Sequence, residues 1–295
     1  MLRGWSPRFA ILTSVQPLVS VVVPVFNGLP HLEALMRSLL QQTYPNLEII
    51  VSEGGGTDSS VDYLRGISDP RITIIEQPRG TSAAGNWTAV SAGATGDFTK
   101  LICQDDLVYA DAIEKQVSDL TRHPDVVMAI AQRDIIDARG STIFRGRGLS
   151  GLRGDYLAGT TAIRECFRQG TNVIGEPLAV LFRTDALQRA LPWQDENPLM
   201  LDLSMYAKVA PTGGIAVRHE SIGAFRVSNA SWSTRLARQQ LEQTKRWQLE
   251  YQQANEISLT RGDRIRGTLG RHVQTNLRRV AYSVLSARGR LDSST

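Results

Sequence analysis

Residues 19–27 read VSVVVPVFN, a run of mostly β-branched apolar side chains that includes Ser20 and Pro24. A run of this kind is typical of a strand that is covered on both faces of a parallel sheet. Asn27 and Gly28 follow, and both residue types favour turns. We therefore predict a buried strand over residues 18–26, with Asn27 at its carboxyl end.

Helical and extended patterns alternate after this strand. The apolar residues of 32–40 recur with helical spacing, whereas those of 47–52 form a second continuous run. The alternation continues with predicted strands at 71–76 and 98–102 and predicted helices near 58–65 and 86–94. This order predicts an α/β fold with a doubly wound, mostly parallel sheet and helices on both faces.

The pattern is looser after residue 107. Residues 146–159 contain five glycines, so we predict a mobile loop there. The other predicted elements are a helix at 111–122, strands at 126–131, 142–145, 179–182 and 215–218, a helix at 203–209, and two long C-terminal helices. In the last helix an apolar stripe from Leu269 to Val284 lies beside arginines.

Composition excludes several classes of protein. The chain has 295 residues, 42% hydrophobic and 21% charged, which excludes collagen-like and disordered chains. Cys103 and Cys166 are its only cysteines, so a disulfide scaffold is excluded. The longest apolar run is too short to span a bilayer, and residues 1–16 lack the pattern of a secretory signal. We therefore predict a cytoplasmic protein.

The net charge of +4 hides an asymmetry along the chain. Residues 234–295 carry twelve Lys and Arg side chains against five acids, a net charge of +7, and the remaining residues carry −3. A basic segment suits an anionic membrane surface or nucleic acid, and the alternative is a solvated helix face. No helix-turn-helix or basic–aromatic pattern supports nucleic acid as the partner.

Polar side chains follow three of the predicted strands. Asn27 follows the first, Glu53 the second, and Asp105 and Asp106 the fourth. Ligands bind at the carboxyl edge of open α/β sheets, and carboxylate oxygens beside a phosphate suit Mg²⁺ or Mn²⁺. The alternative for the acidic pair is a helix cap or a turn. P-loop, dinucleotide-binding, nucleophile-elbow and zinc-site spacings do not occur in the sequence.

Five segments together resemble the inverting family-two glycosyltransferases. They are VSVVVPVFN (19–27), QQTYPNLEIIV (41–51), the glycine loop that ends at Thr57 and Asp58, PRGTSAAGNW (78–87) and TGDFTKLICQDD (95–106). The resemblance covers roughly residues 18–120 and continues more weakly to about 233 through Gly175–Pro177. It implies a GT-A fold and hexosyl transfer from a nucleotide-sugar donor, usually with a divalent metal such as Mg²⁺ or Mn²⁺.

The resemblance also implies an organisation into parts. Residues 1–17 form an N-terminal extension, and residues 18–233 form the GT-A domain. Within that domain, 18–120 is the nucleotide-sugar-binding half and 121–233 the acceptor half. Residues 234–295 form a basic, helical C-terminal segment.

Carried over residue by residue, the resemblance assigns the donor site. Pro24, Val25 and Asn27 line the nucleotide pocket, with Val25 contributing only its backbone. Glu53 meets the base or the ribose. Asp105 and the metal-binding Asp106 fall on the acidic motif, which holds the ribose and the metal that bridges to the diphosphate.

The second half receives two assignments. Asp202 falls on the general base that takes the proton from the acceptor hydroxyl, and its alternative is a helix N-cap. Arg226 falls on a basic position near the diphosphate, and its alternative is a surface arginine. Trp193 and Trp232 are candidates for stacking on sugars, with burial in the core as the alternative.

The chain departs from the family pattern at four positions. The acidic loop has Gly54 in place of an acid, the metal motif begins with Cys103, Leu201 replaces an acid, and Ser228 stands where a histidine is frequent. These departures motivate a second hypothesis, a non-catalytic nucleotide-sugar-binding protein or partner subunit. A nucleotidyltransferase is a third, although it would need a basic glycine-rich loop after the first strand.

The function predicted is therefore inverting sugar transfer in cell-surface glycan or polysaccharide synthesis. The predicted partners are a nucleotide-diphosphate sugar donor and a glycan or lipid-linked glycan acceptor. The C-terminal helices predict peripheral association with an anionic membrane at its inner face. The alternatives for the stripe from Leu269 to Val284 are packing against the domain or a dimer seam.

Overall fold

The computed structural model describes residues 16–29, 31–229, 231–254 and 258–292, without the side chains of 232 and 233. Most of the predicted N-terminal extension and the side chain of Trp232 lie outside the described residues. The strands are β1 (Val19–Val25), β2 (Leu47–Glu53), β3 (Ile72–Glu76), β4 (Phe98–Leu101), β5 (Leu107–Val108), β6 (Val126–Ile136), β7 (Thr142–Arg147), β8 (Tyr156–Ala158), β9 (Val180–Arg183) and β10 (Gly214–Arg226). The α-helices are α1 (His31–Leu40), α2 (Ser60–Arg65), α3 (Ala83–Ala92), α4 (Ala112–Arg122), α5 (Gly159–Gln169), α6 (Thr184–Ala190), α7 (Leu201–Val209), α8 (Trp232–Arg235), α9 (Gln240–Ala254) and α10 (Arg261–Ala287).

One ten-stranded sheet runs through both halves of the chain. Its main order is β3-β2-β1-β4-β9-β6-β10-β5, with β7 beside β6 and β8 beside β10. The strands β3, β2, β1 and β4 are all parallel, as predicted for the first half. In the second half β9 runs antiparallel to both β4 and β6, while β6 and β10 are parallel. The sheet is therefore wholly parallel in the predicted donor half and mixed in the predicted acceptor half.

The pairing of β1 brings the predicted site residues to one edge of the sheet. Val25 pairs with Glu53 at the carboxyl ends of β1 and β2. Strand β4 lies on the other side of β1, and Leu101 pairs with Val22. Because these strands are parallel, the loops that carry Asn27, Glu53 and the Asp105–Asp106 pair leave the sheet in the same direction.

Strand β1 lies at the centre of the core. All seven of its residues are buried, and alternate side chains contribute to two different apolar clusters. Val22 belongs to one cluster, and Val21 and Val23 belong to the other. The second cluster contains the predicted apolar face of α1, represented by Leu35 and Leu39. Both faces of the sheet are thus covered, as predicted.

The region predicted as a mobile loop is partly regular. The last two residues of β7, all of β8 and the first residue of α5 fall inside 146–159, so the loop prediction is wrong at both ends of the segment. The glycines Gly146, Gly148, Gly151 and Gly154 all have positive φ, which explains why the segment is rich in this residue. The helices α5 and α6 were not predicted at all.

Helix α10 is fixed to the body of the protein at both ends. A side chain at Gly267 would come within 2.8 Å of the Phe167 carbonyl oxygen, so only glycine allows this close approach to α5. At the other end the Ala138 N–H donates to the Arg290 carbonyl (3.1 Å), and Arg290 forms an ion pair with Asp137 (2.8 Å). The helix therefore packs along the domain with one face.

Candidate active site

Asn27 joins the end of β1 to the glycine loop that follows β2. Its φ of 50° lies in the left-handed region, which asparagine tolerates better than most residues. Its Oδ1 accepts hydrogen bonds from the N–H groups of Thr57 (2.7 Å) and Asp58 (3.2 Å). The side chain itself is exposed at the sheet edge, so Asn27 can meet a ligand while it orders the loop.

The backbone before Asn27 is already engaged. Pro24 and Val25 are buried, and the Val25 carbonyl accepts from the Gly54 N–H (2.7 Å) and from the Asn86 Nδ2 (3.1 Å). These contacts lock β1 to the glycine loop and to α3. The predicted roles of Pro24 and Val25 in lining a nucleotide pocket stay predictions.

Glu53 holds the glycine loop in place. Its carboxylate accepts from the N–H groups of Gly55 (2.9 Å) and Gly56 (2.7 Å), and the residue is 4% exposed. A Cβ at Gly56 would lie 2.7 Å from both Asn27 Oδ1 and Glu53 Oε1, so a side chain here would displace the two groups that hold the loop. The predicted contact of Glu53 with the base or ribose stays a prediction.

The acidic pair lies just beyond β4, and the environments of its two carboxylates differ. Asp106 is fully buried; its Oδ1 accepts from the Arg226 N–H (3.1 Å), and its Oδ2 has no hydrogen-bond partner in the described part of the chain. Burial, and then the neighbouring Asp105, raise the pKa of Asp106 well above its usual value. Burial also raises the pKa of Asp105, whose Oδ2 accepts from Ser231 Oγ (3.3 Å).

Arg226 lies at the end of β10 and faces this pair. It is 4% exposed, so the alternative of a surface arginine is wrong. Its Nε donates to the Asp105 carbonyl (2.8 Å), and its Nη1 donates to the carbonyls of Asp137 (3.2 Å) and Ala138 (3.3 Å). The guanidinium is thus held by backbone oxygens, with its charge beside the acidic pair. Its contact with a diphosphate stays a prediction.

Asp202 lies in the first turn of α7 and does not cap the helix. The helix cap is Met200, and among the described residues no side chain makes a capping bond there, so the alternative of an N-cap is wrong. Asp202 Oδ2 accepts from Asn172 Nδ2 (2.8 Å), and Oδ1 accepts from the Leu203 N–H (2.7 Å). Burial, together with the charge of Glu176, raises the pKa of Asp202 to about 7. This carboxyl group can therefore gain or lose a proton near neutral pH.

The acids of the two halves meet around Cys103. Burial raises the pKa of the Cys103 thiol well above its usual value. The charges of four carboxylates add to this rise: Asp106, Asp105, Asp202 and Glu176. The structure thus brings the predicted metal and base residues into one cluster, although they lie almost a hundred residues apart in sequence.

The acidic pair suits a divalent cation whose remaining ligands come from the substrate. Among the described residues, no group of three or more His, Cys, Asp or Glu side chains is arranged to hold a metal ion. Even so, the buried Oδ2 of Asp106 has no hydrogen-bond partner among the described residues and is available as a ligand atom. Mg²⁺ is commonly held by one or two carboxylates together with substrate phosphates. Asp106, with Asp105 beside it, matches that pattern.

Several residues of the site escaped the sequence analysis. Gln104 forms a double hydrogen bond with the Phe26 peptide, accepting at Oε1 (2.7 Å) and donating from Nε2 (3.0 Å). The Phe26 ring is 54% exposed beside Asn27. An aromatic residue directly before Asn27, at the end of a predicted strand, is the sequence signal that could have identified Phe26. Asn172, which orients Asp202, has no comparable signal in the sequence.

Trp193 is a core residue, so the prediction that it stacks on a sugar is wrong. It is 3% exposed, its Nε1 donates to Ser91 Oγ (3.0 Å), and its ring meets Trp87 edge-on at 5.1 Å between centroids.

A family model for glycosyl transferase family 2 matches residues 20–190, more than half of the chain. The chain belongs to this family. The match begins in β1 and includes every predicted donor-site residue, and it ends before Asp202 and Arg226. The family assignment made from the sequence is confirmed.

Named relatives of this family 2 member match over shorter stretches. It is 29% identical over 129 residues to an uncharacterized glycosyltransferase of Haemophilus influenzae. This stretch covers 43% of this chain and 51% of that relative. It is 29% identical over 106 residues to the Escherichia coli UDP-Glc:alpha-D-GlcNAc-diphosphoundecaprenol beta-1,3-glucosyltransferase WfgD, covering 36% of this chain and 42% of WfgD. The chain thus spans about half or less of the length of these relatives.

Solved structures confirm the GT-A fold of this family 2 chain. S. aureus TarS 1–349 in complex with UDP-GlcNAc aligns with a TM-score of 0.67 and 14% identity, covering 87% of this chain and 73% of that one. The mannosyltransferase PcManGT from Pyrobaculum calidifontis, in complex with GDP-Man and Mn²⁺, aligns with a TM-score of 0.62 and 18% identity, covering 95% and 77%. Within the described ranges, no helix has both the length and the apolar character needed to cross a membrane.

Proposed function

We propose that this protein is an inverting glycosyltransferase that moves a sugar from a nucleoside diphosphate to an acceptor hydroxyl in glycan or polysaccharide synthesis. The observation that carries the proposal is the buried acidic pair held against Arg226, in which Asp106 keeps an oxygen without a partner among the described residues. The charge of Asp202 acts on the same Cys103 thiol as the charges of this pair. A leaving diphosphate needs positive charge or a cation, and an attacking hydroxyl needs a base. The cluster offers groups for both tasks in one place.

The donor's nucleoside is assigned to the edge formed by the ends of β1 and β2. Asn27 and Phe26 are exposed there, and an exposed ring can stack on a nucleobase. Pro24, Val25 and Glu53 form the wall beneath them, and Asp105 lies next to the strand end. We assign the ribose contact to Asp105.

The diphosphate is assigned to the space beside Asp106 and Arg226. A divalent cation held by Asp106, Mg²⁺ or Mn²⁺, would supply charge neutralisation for the departing diphosphate. Arg226 adds a fixed positive charge that needs no reorganisation, because backbone carbonyls already hold its guanidinium. PcManGT, a structural neighbour, is a complex with GDP-Man and Mn²⁺.

Asp202 is assigned the role of general base. Its pKa of about 7 means that it is partly ionised at neutral pH and can accept a proton from a hydroxyl. Asn172 fixes one carboxylate oxygen and the Leu203 N–H fixes the other, so the group is oriented before substrate binds. Attack on the side opposite the diphosphate gives inversion at the anomeric carbon.

We assign a lipid-linked glycan as the acceptor. We place the protein at the cytoplasmic side of a membrane. Support comes from WfgD, whose name gives a diphosphoundecaprenol-linked acceptor. The basic residues 234–295 suit a location at the anionic inner face of the membrane.

The test compares donor binding with turnover. The assay measures the release of UDP, GDP or dTDP from the matching nucleotide sugar in the presence of Mn²⁺. Because the acceptor is unidentified, water takes its place, and the slow hydrolysis of the donor is the readout. Asp202→Asn is expected to bind the nucleotide as the wild type does and to lose release by about 10²–10⁴-fold. Equal release by both proteins would overturn the role of Asp202.

The competing hypothesis is a non-catalytic family member. Ser228, which stands where the family has a frequent histidine, is buried and bonded to Ser231 (3.0 Å). This observation favours a site with one ligand fewer. Nucleotide binding without any turnover, in the wild type and with every donor, would support this hypothesis and overturn ours.

A further inference from the structure

Helix α10 exposes a continuous apolar stripe. One face of the helix is buried through Asp263, Gly267, Thr275 and Leu285. The opposite face carries six large apolar side chains that are 44–63% exposed: Ile265, Leu269, Val273, Leu277, Val280 and Val284. They recur every three or four residues and so lie on one side of the helix. We call these six residues the outer stripe; it is about 29 Å long at 1.5 Å per residue.

None of the residues that the structure describes covers the outer stripe. The alternative that the apolar residues from Leu269 to Val284 pack back on the protein is therefore wrong, because the helix packs with its other face. Six exposed apolar side chains in a row form a patch of the kind that marks an interaction surface.

The charge beside the stripe has one sign. Residues 261–287 contain six arginines: Arg261, Arg264, Arg266, Arg271, Arg278 and Arg279. The same residues contain one acid, Asp263, which is 2% exposed and ion-paired with Arg168. The surface of α10 therefore offers apolar and cationic groups without an exposed acid within 261–287.

This combination selects an anionic lipid surface over a second copy of the chain. Two copies that paired through their outer stripes would bring exposed arginines of both copies together, Arg266 and Arg279 among them, and like charges across an interface are costly. A helix with a polar basic face and an exposed apolar face lies in the plane of a membrane interface, where the apolar side chains enter the lipid and the arginines meet phosphate.

The end of α10 is next to the candidate active site. Arg290, just beyond the helix, is bound to Asp137 and Ala138, and the carbonyls of these two residues accept from Arg226 Nη1. Arg278, on the packed side of the helix, lies near enough to Asp202 to lower its pKa against the larger effects of burial and Glu176. A membrane bound by the stripe would thus lie close to the catalytic edge.

We propose that the outer stripe and its flanking arginines bind an anionic membrane surface with α10 lying in its plane, so that the active-site edge faces lipid-borne acceptors. Membrane binding by the outer stripe does not depend on the proposed function. The delivery of a lipid-linked acceptor to the active site does rest on the proposed function.

The experiment is co-sedimentation of the full chain with vesicles of phosphatidylglycerol and phosphatidylcholine, or of phosphatidylcholine alone. We expect binding to the anionic vesicles that weakens as salt is added. The double variant Leu269→Glu/Leu277→Glu should lose at least about tenfold in binding, and Arg266→Glu/Arg279→Glu should lose a similar amount. Leu249→Glu is the matched control, because Leu249 is an exposed apolar residue (49%) on α9 and should leave binding unchanged.

Three results would overturn the proposal: no binding to anionic vesicles, equal binding to neutral vesicles, or binding that the Leu269→Glu/Leu277→Glu variant retains. A dimer in sedimentation equilibrium that the same variant abolishes would assign the stripe to a second copy. Calorimetric nucleotide binding, measured on each variant, reports separately on the proposed function and shows that each variant is folded.

Discussion

Replacing Asp202 by asparagine should make the protein more stable at alkaline pH while it removes activity. The pKa of Asp202 is about 7 in the folded protein because the group is buried and lies near Glu176, against an ordinary value of 3.8. The folded state therefore keeps a proton that the unfolded chain has lost between about pH 4 and pH 7. Stability falls as pH rises through that window, and above pH 7 the loss is complete, at about 4 kcal/mol.

The variant has no such loss, because asparagine does not ionise. Asparagine does leave one of the two donors, Asn172 Nδ2 or the Leu203 N–H, without its acceptor, at a cost of about 1–3 kcal/mol. This cost is the same at every pH. The quantity to measure is thus the change in the free energy of unfolding on substitution at pH 8 minus that at pH 5, which we expect to favour the variant by about 3 kcal/mol.

Urea denaturation at the two pH values gives this difference directly. Asp263→Asn is the control: the pKa of Asp263 is about 2, because the hydrogen bonds of Thr260 and Arg168 outweigh the effect of burial. Its carboxylate is ionised at both pH values, so the variant should lose about the same stability at each. An Asp202→Asn variant that behaves in the same way would refute the view that Asp202 is held as a destabilised, functional carboxyl.

Three further outcomes follow from the site. The kcat/KM for transfer should fall about tenfold per pH unit below pH 7, as Asp202 takes up its proton, and a flat profile measured from pH 5 to 8 would count against it as the base. Asp106→Asn should weaken Mn²⁺-supported nucleotide binding at least about tenfold in calorimetry, because an amide offers the cation one neutral oxygen in place of a carboxylate. Unchanged affinity would place the cation elsewhere. Gly56→Ala should cost about 1–3 kcal/mol of stability, because its Cβ would meet two side-chain oxygens at 2.7 Å, while Gly262→Ala, with its nearest atom at 3.6 Å, should cost nothing.

The first half of the fold, residues 18–120, was predictable because its signals are local. Strand β1 sends alternate side chains to opposite faces of a buried sheet, so its sequence is apolar throughout. The helix α1 shows a clear apolar face. The turn residues Asn27 and Gly28 end the strand where the structure ends it. Each of these features can be read from a window of about ten residues.

The second half of the fold, residues 121–233, was harder to predict because its polar residues form hydrogen bonds with partners that are distant in sequence. Strand β6 continues to Ile136, past the predicted end at Ala131, since Asp134 is bonded to Tyr109 and Ser221 from other elements. In a local window Asp134 reads as the end of a strand. Helix α5 begins at Gly159, and its cap residue Ala158 has no side chain that could make a capping bond, so no start signal stands at its first turn.

The site shows the same division. The positions of Asn27, Glu53 and Asp106 at one edge follow from parallel pairing, which the alternation of elements predicts. Asn172 lies in the loop after α5 and donates a hydrogen bond to Asp202 on α7, 30 residues later in the chain. The sequence around either residue gives no sign of this bond. Arg226 is likewise held by the carbonyls of Asp137 and Ala138, which are distant in sequence. The residues next to Arg226 in the sequence therefore do not predict this contact.

The central claim is that a nucleoside diphosphate and a divalent cation bind together at Asp106. Isothermal titration calorimetry of the full chain with UDP, GDP and dTDP, with and without Mn²⁺, tests it most directly. We predict that one nucleotide binds, that binding depends on Mn²⁺, and that Asp106→Asn abolishes this dependence. Failure of all three nucleotides to bind would contradict the account and favour a family member that has lost its donor site.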